Sequence, residues 1–345
     1  MTNLQNTLYV TTSGAWLRKD HENVVVRIER KTALVVPIHH LASIVCFGQV
    51  GVSPSLLHAC GRVGVSVSFL SRSGRFLARM EGPGSGSVAL RRAQYRLADD
   101  ARGRARLARS IVAGKVSNEH ALLLRGAREM EDKEAVAALE AGAEALRRSL
   151  EALDKAAEGD DLDVVRGHEG EAARTYFGAF DQLLRRREGF RFEGRTRRPP
   201  RDPMNALMSF LYALVAQDAA SALQSVGLDP AVGYLHADRP GRPSLALDLA
   251  EELRAPVAER LAVALVNLRQ VRQEGFVRSE TGAVQMDDAT RKAVLIAYQK
   301  KKQEPITHPF TGERATLCLA FFTQARLLAR AVRGELNVYP PFVIH

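Results

Sequence analysis

Two compositional regimes predict an α+β chain of two domains, an N-terminal antiparallel β-sandwich followed by a C-terminal all-helical domain. Short β-branched runs separated by turn residues fill the stretch from Leu8 to Leu70. A Gly- and Ser-rich break runs from Gly82 to Ser87. Beyond Val88 the composition turns to Ala, Leu, Arg and Glu with a helical period near 3.6.

Leu8 to Val10, Asn23 to Ile28, Ala33 to Val36 and Gly64 to Leu70 read as strands, because branched side chains suit a pleated, half-buried surface. Ser53 to Cys60 is the helical exception. Ser53 is placed as N-cap and Pro54 at the first helical position, where its missing N–H costs nothing. Gly82-Pro-Gly-Ser-Gly-Ser87 interrupts both patterns and sets the domains at residues 1–86 and 87–345. Within the helical part, Glu129 to Asp163 holds twelve acids against four bases, an acidic block expected to face solvent or a basic partner. Arg185 to Arg201 reverses the sign, with eight bases against two acids.

The whole chain carries a formal charge of +10, and Arg supplies 40 of its 49 cations. An excess of forked guanidinium groups favours a polyanionic partner, although a high-GC genome produces the same bias. Three features suit a phosphate backbone: Arg91, Arg92, Arg96, Arg102, Arg104, Arg106 and Arg109; the loop Arg195-Thr-Arg-Arg-Pro-Pro-Arg201; and Arg326, Arg330 and Arg333 on one helical stripe. In the loop, Pro199 and Pro200 keep the backbone extended and leave the guanidinium groups free, as they also would in a linker. Cys46, Cys60 and Cys318 are odd in number and widely spaced, which excludes a disulfide framework and a thiolate zinc site and fits a reducing cytoplasm. The apolar run Leu207 to Ala216 is too short to span a bilayer, and Met1 to Val10 lacks a signal pattern, so neither export nor membrane insertion is expected.

No P-loop, dinucleotide fingerprint, nucleophile elbow or zincin motif occurs. What remains is a dispersed set of carboxylates and one histidine. Asp248 lies three residues before Glu251 and four before Glu252, so on a helix either pair shares a face and offers oxygens to a hard cation. His236 ends Gly233-Tyr-Leu-His236, twelve residues before Asp248. Glu169 stands between Gly167 and Gly170 at the start of a helical stretch expected over Glu171 to Leu184, where capping is its plain alternative. Spacing neither connects Glu169 to His236 nor chooses Glu251 over Glu252.

At these residues the chain resembles a known family, the CRISPR-associated integrases of spacer acquisition ("Cas one"), in the subtype I-C form. The resemblance runs over nearly the whole chain. It is carried by Gly74 to Arg79, Leu90 to Arg96, Gly167-His-Glu-Gly-Glu-Ala-Ala-Arg174, Arg197 to Leu207, Gly227 to His236, Arg239 to Arg254 and Gln324 to Arg330. It implies a β-sandwich that dimerises and a helical catalytic domain. It further implies a metal site of Glu169, His236 and Glu251, the last replacing the Asp of many relatives, with Asp248 as an acid needed beside it. Mg²⁺ or Mn²⁺ is the implied cofactor, and the imidazole makes Mn²⁺ the more comfortable. The implied reaction is attack of a prespacer 3′-hydroxyl on a repeat phosphodiester, or nuclease cleavage when water takes its place. Its implied partners are double-stranded DNA (prespacer and CRISPR repeat), a second copy of the chain in a homodimer, and a small second acquisition protein ("Cas two"). Arg197, Arg198, Arg201, Arg326 and Arg330 are the arginines assigned to DNA. Two other readings use the same features: a non-catalytic nucleic-acid-binding scaffold and a stand-alone nuclease for branched DNA.

Overall fold

The computed structural model describes residues 6–72, 74–80, 82, 87–155, 161–185, 190–196 and 199–344. Its contacts divide into two units, Met1–Ser85 and Gly86–His345. Most of the Gly82–Ser87 break lies outside the described residues.

The first unit holds β1 (Asn6–Val10), β2 (Trp16–Asp20), β3 (Asn23–Ile28), β4 (Lys31–Pro37), β5 (Leu41–Phe47), β6 (Gly51–Val52), α1 (Pro54–Val63), β7 (Ser66–Leu70) and β8 (Phe76–Met80). They form two four-stranded sheets, ordered β1-β5-β7-β8 and β4-β3-β2-β6. Leu17, Val24 and Val26 of one sheet and Ile44, Cys46 and Val67 of the other meet Leu56 and Cys60 of α1 in a single apolar cluster. Helix α1 starts where its residues dictate: Ser53 Oγ accepts the Leu56 N–H at 3.3 Å, and the helix closes on Gly64 at φ 76°.

The expectation of an antiparallel sandwich needs correction. β1 pairs with β5, β5 with β7 and β2 with β6 in parallel, while β2–β3, β3–β4 and β7–β8 are antiparallel. Tight turns reverse the chain between β2, β3 and β4, whereas α1 carries it back between β5 and β7 so that both strands run the same way. Alternation of side chains reports burial and says nothing of direction.

The second unit is built from α2 (Val88–Asp99), α3 (Ala101–Glu129), α4 (Lys133–Lys155), α5 (Leu162–Ala179), α6 (Pro203–Ser225), α7 (Ser244–Leu253), α8 (Arg260–Asn267), α9 (Asp288–Lys302) and α10 (Leu317–Val332). It is not wholly helical. Two antiparallel hairpins, β9 (Phe276–Arg278) with β10 (Val284–Met286) and β11 (Pro305–Thr307) with β12 (Arg314–Thr316), interrupt it, and strands of three residues are too short to show an alternation. In α4 the buried Ala135, Leu139, Ala143 and Leu146 recur at three- and four-residue steps, leaving Glu144 and Glu151 outside to pair with Arg147.

The apolar run Leu207 to Ala216 belongs to α6, whose 23 residues are long and apolar enough to cross a bilayer. The run looks short because Asn205, Gln217 and Asp218 flank it, yet capping by Asp202 and packing extend the helix past them. Here α6 is core: Leu207, Phe210, Leu211 and Leu214 are buried, and Asp218 pairs with the buried Lys302 at 2.8 Å.

Burial pushes the Cys46 and Cys60 thiols up to about 12 and about 11, and raises Cys318 as well. Because the thiolate is the nucleophile, none of the three should react with Ellman's reagent at pH 8 in the folded protein, and all three should on unfolding. Absorbance at the released thionitrobenzoate band checks it.

Candidate active site

Three helices and one loop of the second unit bring the sequence-singled residues together. Asp248, fully buried on α7, organises the loop before it. Its Oδ2 accepts the backbone N–H groups of Tyr234 and Leu235 at 2.6 and 3.0 Å, and its Oδ1 accepts the His236 N–H at 3.0 Å. The same Oδ1 lies 2.7 Å from His236 Nδ1. A carboxylate only accepts, so Nδ1 carries the proton and the lone pair is left on Nε2. The carbonyls of this turn are held too: Arg104 Nε donates to Tyr234 O at 2.9 Å, and Arg166 donates to Leu235 O through Nε and Nη2 at 3.1 and 2.9 Å. Gly233 is required here, since a Cβ would stand 2.7 Å from Ser244 Cβ and 2.9 Å from the His236 carbonyl oxygen.

His236 Nε2 faces Glu251 Oε1 at 3.7 Å. Glu251 is also buried, one turn of α7 beyond Asp248. It is ion-paired to Arg254 and, through Oε2, to Lys115 Nζ at 3.1 Å. Lys115, buried on α3, pairs with Glu169 of α5 as well, so both glutamates share one ammonium. Burial alone would raise the Glu251 carboxyl, but Arg254, then Lys115 and His236, outweigh it and bring it down to about 2. Burial likewise lowers Lys115, yet Glu251, Glu119 and Glu169 leave it above its ordinary value. Burial, against the pull of Lys115, raises the carboxyl of Glu119, one turn along α3 from Lys115.

Glu169 is not a helix-start acid. α5 begins at Leu162 with Asp161 as its cap, so Glu169 sits in its third turn and the capping alternative fails. Glu252, which spacing left level with Glu251, is engaged elsewhere. Its Oε1 accepts from Tyr339 Oη and Gln324 Nε2 at 2.6 and 2.9 Å, and its Oε2 from the Phe342 N–H at 2.9 Å. Lys115 lies in no motif, and Arg254 closes the Arg239 to Arg254 stretch without an assigned role. Three polar residues, Lys115, Asn118 and Glu119, at helical spacing on a face that also carries Ala108, Ile111 and Leu122 are the signal that points to Lys115.

The dispersed arginines are divided. Arg201, Arg326 and Arg330 are exposed, Arg330 sharing Glu335 with Arg333. Arg197 and Arg198 lie outside the described residues. Arg195 does not hang free as the proline-stiffened loop suggests. It donates to Asn205 Oδ1 and Ser209 Oγ at 2.7 and 3.1 Å and stacks over Tyr212 at 4.9 Å, because α6 supplies partners that local sequence does not reveal.

The donor set suits a divalent cation: two carboxylates, one imidazole with its lone pair turned toward Glu251, and a buried Glu251 Oε2 with no partner besides Lys115 among the described residues. Among those residues, however, no trio of His, Cys, Asp and Glu side chains is drawn to ligand distances of one point; the glutamates close on the lysine instead.

Comparison with known proteins agrees with the family that the resemblance names. The family model described as CRISPR associated protein Cas1 matches residues 8–300. The chain is 49% identical over 344 residues to the CRISPR-associated endonuclease Cas1 2 of Rhodospirillum rubrum, covering 99% of each. Among solved structures it resembles a CAS1 protein from Thermotoga maritima, with TM-score 0.82, 25% identity and coverage of 97% and 99%. A casposase bound to integration product shares the fold, with TM-score 0.81, 20% identity and coverage of 97% and 93%. This chain belongs to the Cas1 family of CRISPR-associated proteins.

Proposed function

We propose that this chain is the integrase of CRISPR adaptation, a metal-dependent enzyme that joins prespacer 3′-hydroxyl ends to a CRISPR repeat and cleaves DNA when water replaces the hydroxyl. The observation that carries the reading is the Asp248–His236 pair, which fixes one imidazole tautomer with Nε2 turned to Glu251 while Glu169 meets Glu251 across a single ammonium. Glu169, His236 Nε2 and Glu251 are the ligands of Mg²⁺ or Mn²⁺. When bound, that cation supplies Lewis-acid stabilisation of charge on the scissile phosphate. The protein does the rest. Asp248 holds the tautomer, Arg104 and Arg166 hold the turn, and Lys115 and Arg254 compensate the buried Glu251 carboxylate so that it is available as an anion.

Residues 87–345 form the catalytic domain and residues 1–86 the dimerisation domain, since two prespacer ends require two active sites. Double-stranded DNA, a second copy of the chain and the small "Cas two" protein are the partners, the setting is the cytoplasm, and the motifs assign the subtype I-C branch. The test is strand joining. Prespacer, repeat-containing plasmid, Mn²⁺ and the small partner should yield joined product, and blocking the 3′ ends should remove it. Joining of blocked ends contradicts transesterification, and no metal-dependent joining or cleavage at all leaves the scaffold reading.

Arg197, Arg198, Arg201, Arg326 and Arg330 hold the DNA backbone. Replacing Arg197, Arg198 and Arg201 with Ala should weaken duplex binding and flatten the slope of log affinity against log salt by about 0.9 for each phosphate no longer neutralised. Fluorescence anisotropy over a salt series reads both; an unchanged slope makes the loop a linker.

A further inference from the structure

The segment Tyr339–Ile344 has no part in the chemistry above, yet it is bound as tightly as a core element. Val338 before it is 69% exposed, whereas Tyr339 and Phe342 are 2% and 1% exposed. One of its anchors, Gln324 of α10, donates to Tyr339 Oη and Pro340 O at 2.7 and 3.2 Å, and the others lie on two of the helices that meet at the active site. On α7 it is Glu252, neighbour of Glu251, which accepts from Tyr339 Oη and the Phe342 N–H. On α3 it is Asn118, fully buried and one turn beyond Lys115. Its Nδ2 donates to the carbonyls of Phe342 and Glu252 at 2.6 and 2.7 Å, and its Oδ1 accepts the Ile344 N–H at 2.9 Å.

Asn118 gives the Glu252 carbonyl an outside donor where the usual helical one is missing. Pro256, four residues on, has no N–H to give it, and the chain there widens into a π-helical turn over Arg254–Glu259. The segment also lies flat on α3. Gly114, immediately before Lys115, leaves room for Pro341: a Cβ at position 114 would stand 2.5 Å from Pro341 Cβ. One face of α3 thus presents Gly114 and Asn118 to the segment and Lys115 to Glu251 and Glu169.

We infer that Tyr339–Ile344 is a positioning strap that ties α3 to α7 and thereby sets how Glu251 and Lys115 are presented to the catalytic cation. The inference rests on the metal reading given above. Gly114, Asn118, Glu252, Tyr339, Pro341 and Phe342 are its positioning residues, and none of them touches the reacting atoms. Binding is reciprocal: whatever the strap does for the cation, the cation does for the strap.

The test is Mn²⁺ affinity of the full-length protein by titration calorimetry. Gly114→Ala removes no hydrogen-bonding group and improves helix propensity, but it drives the strap off α3, so Mn²⁺ affinity should fall about 10- to 100-fold, the usual effect of losing support behind metal ligands. Adding Pro341→Gly restores the space and should bring affinity back to within about threefold of wild type. A merely structural strap would change the melting temperature and leave Mn²⁺ affinity alone. Hydrogen exchange on the wild-type protein gives the reciprocal reading and decides the matter if Gly114→Ala does not fold: Mn²⁺ should slow exchange of the Phe342 and Ile344 amides. Unchanged affinity in Gly114→Ala, no rescue by Pro341→Gly, or exchange indifferent to Mn²⁺ overturns the strap alone. Absence of Mn²⁺ binding to the wild type, or binding that survives Glu251→Gln, overturns the metal reading and the strap with it.

Discussion

Glu169→Gln is expected to abolish strand joining while duplex binding stays within about twofold of wild type. The amide keeps the shape of the side chain and loses its charge. Glu169 is one of two carboxylates that meet across Lys115, so the variant leaves the cation with Glu251 and His236 alone. Lewis-acid stabilisation of a phosphoryl transition state is worth several kcal/mol, and each step of about 1.4 kcal/mol is tenfold, so the rate should drop by about 10³-fold or more. The fold should be untouched, because Glu169 is partly exposed and its loss strips no buried backbone donor of a partner. Single-turnover joining with a labelled prespacer, beside anisotropy on the same DNA, separates the two effects. Joining that persists in the variant removes Glu169 from the site.

Asp248→Ala is the second large effect, and it reaches stability as well as activity. The Asp248 carboxylate takes three backbone N–H groups and the imidazole N–H in a fully buried place. Ala leaves those four donors without their partner, at about 1–3 kcal/mol each, so the variant should lose about 4 kcal/mol or more. Asp248→Asn should do little better, since its amide nitrogen would face a row of donors. Freed from Asp248, His236 no longer holds its Nε2 lone pair toward Glu251, and Mn²⁺ affinity should fall about 10- to 100-fold. Urea denaturation reads the first loss and metal titration the second. A stable Asp248→Ala protein would mean the turn is held by Arg104 and Arg166 alone.

How much of this was legible in the sequence depends on range. The division into a strand-rich and a helix-rich part, the start of α1 at Ser53-Pro54 and the shared face of Asp248 and Glu251 all follow from local residue types and periods. Strand direction does not, because β5 and β7 are parallel through the path of the chain between them. The start of α5 was hidden by an acidic run and two glycines, which local propensity counts against a helix. Packing of Val165, Ala172 and Tyr176 overrides that preference. Spacing left Glu251 and Glu252 level, and they are separated by Tyr339 and Phe342, far downstream in the chain. Lys115 was missed because it is recognised by what it meets across three helices.

Pulsed EPR of Mn²⁺ bound to the wild-type protein is the most direct measurement, since it reports the atoms around the metal without requiring turnover. The geometry predicts one directly coordinated imidazole nitrogen, lost in His236→Gln while the helical content by circular dichroism is kept, and metal binding abolished in Glu251→Gln. A spectrum with no nitrogen coupling, or one that survives His236→Gln unchanged, would contradict the assignment of Glu169, His236 and Glu251 as the metal site.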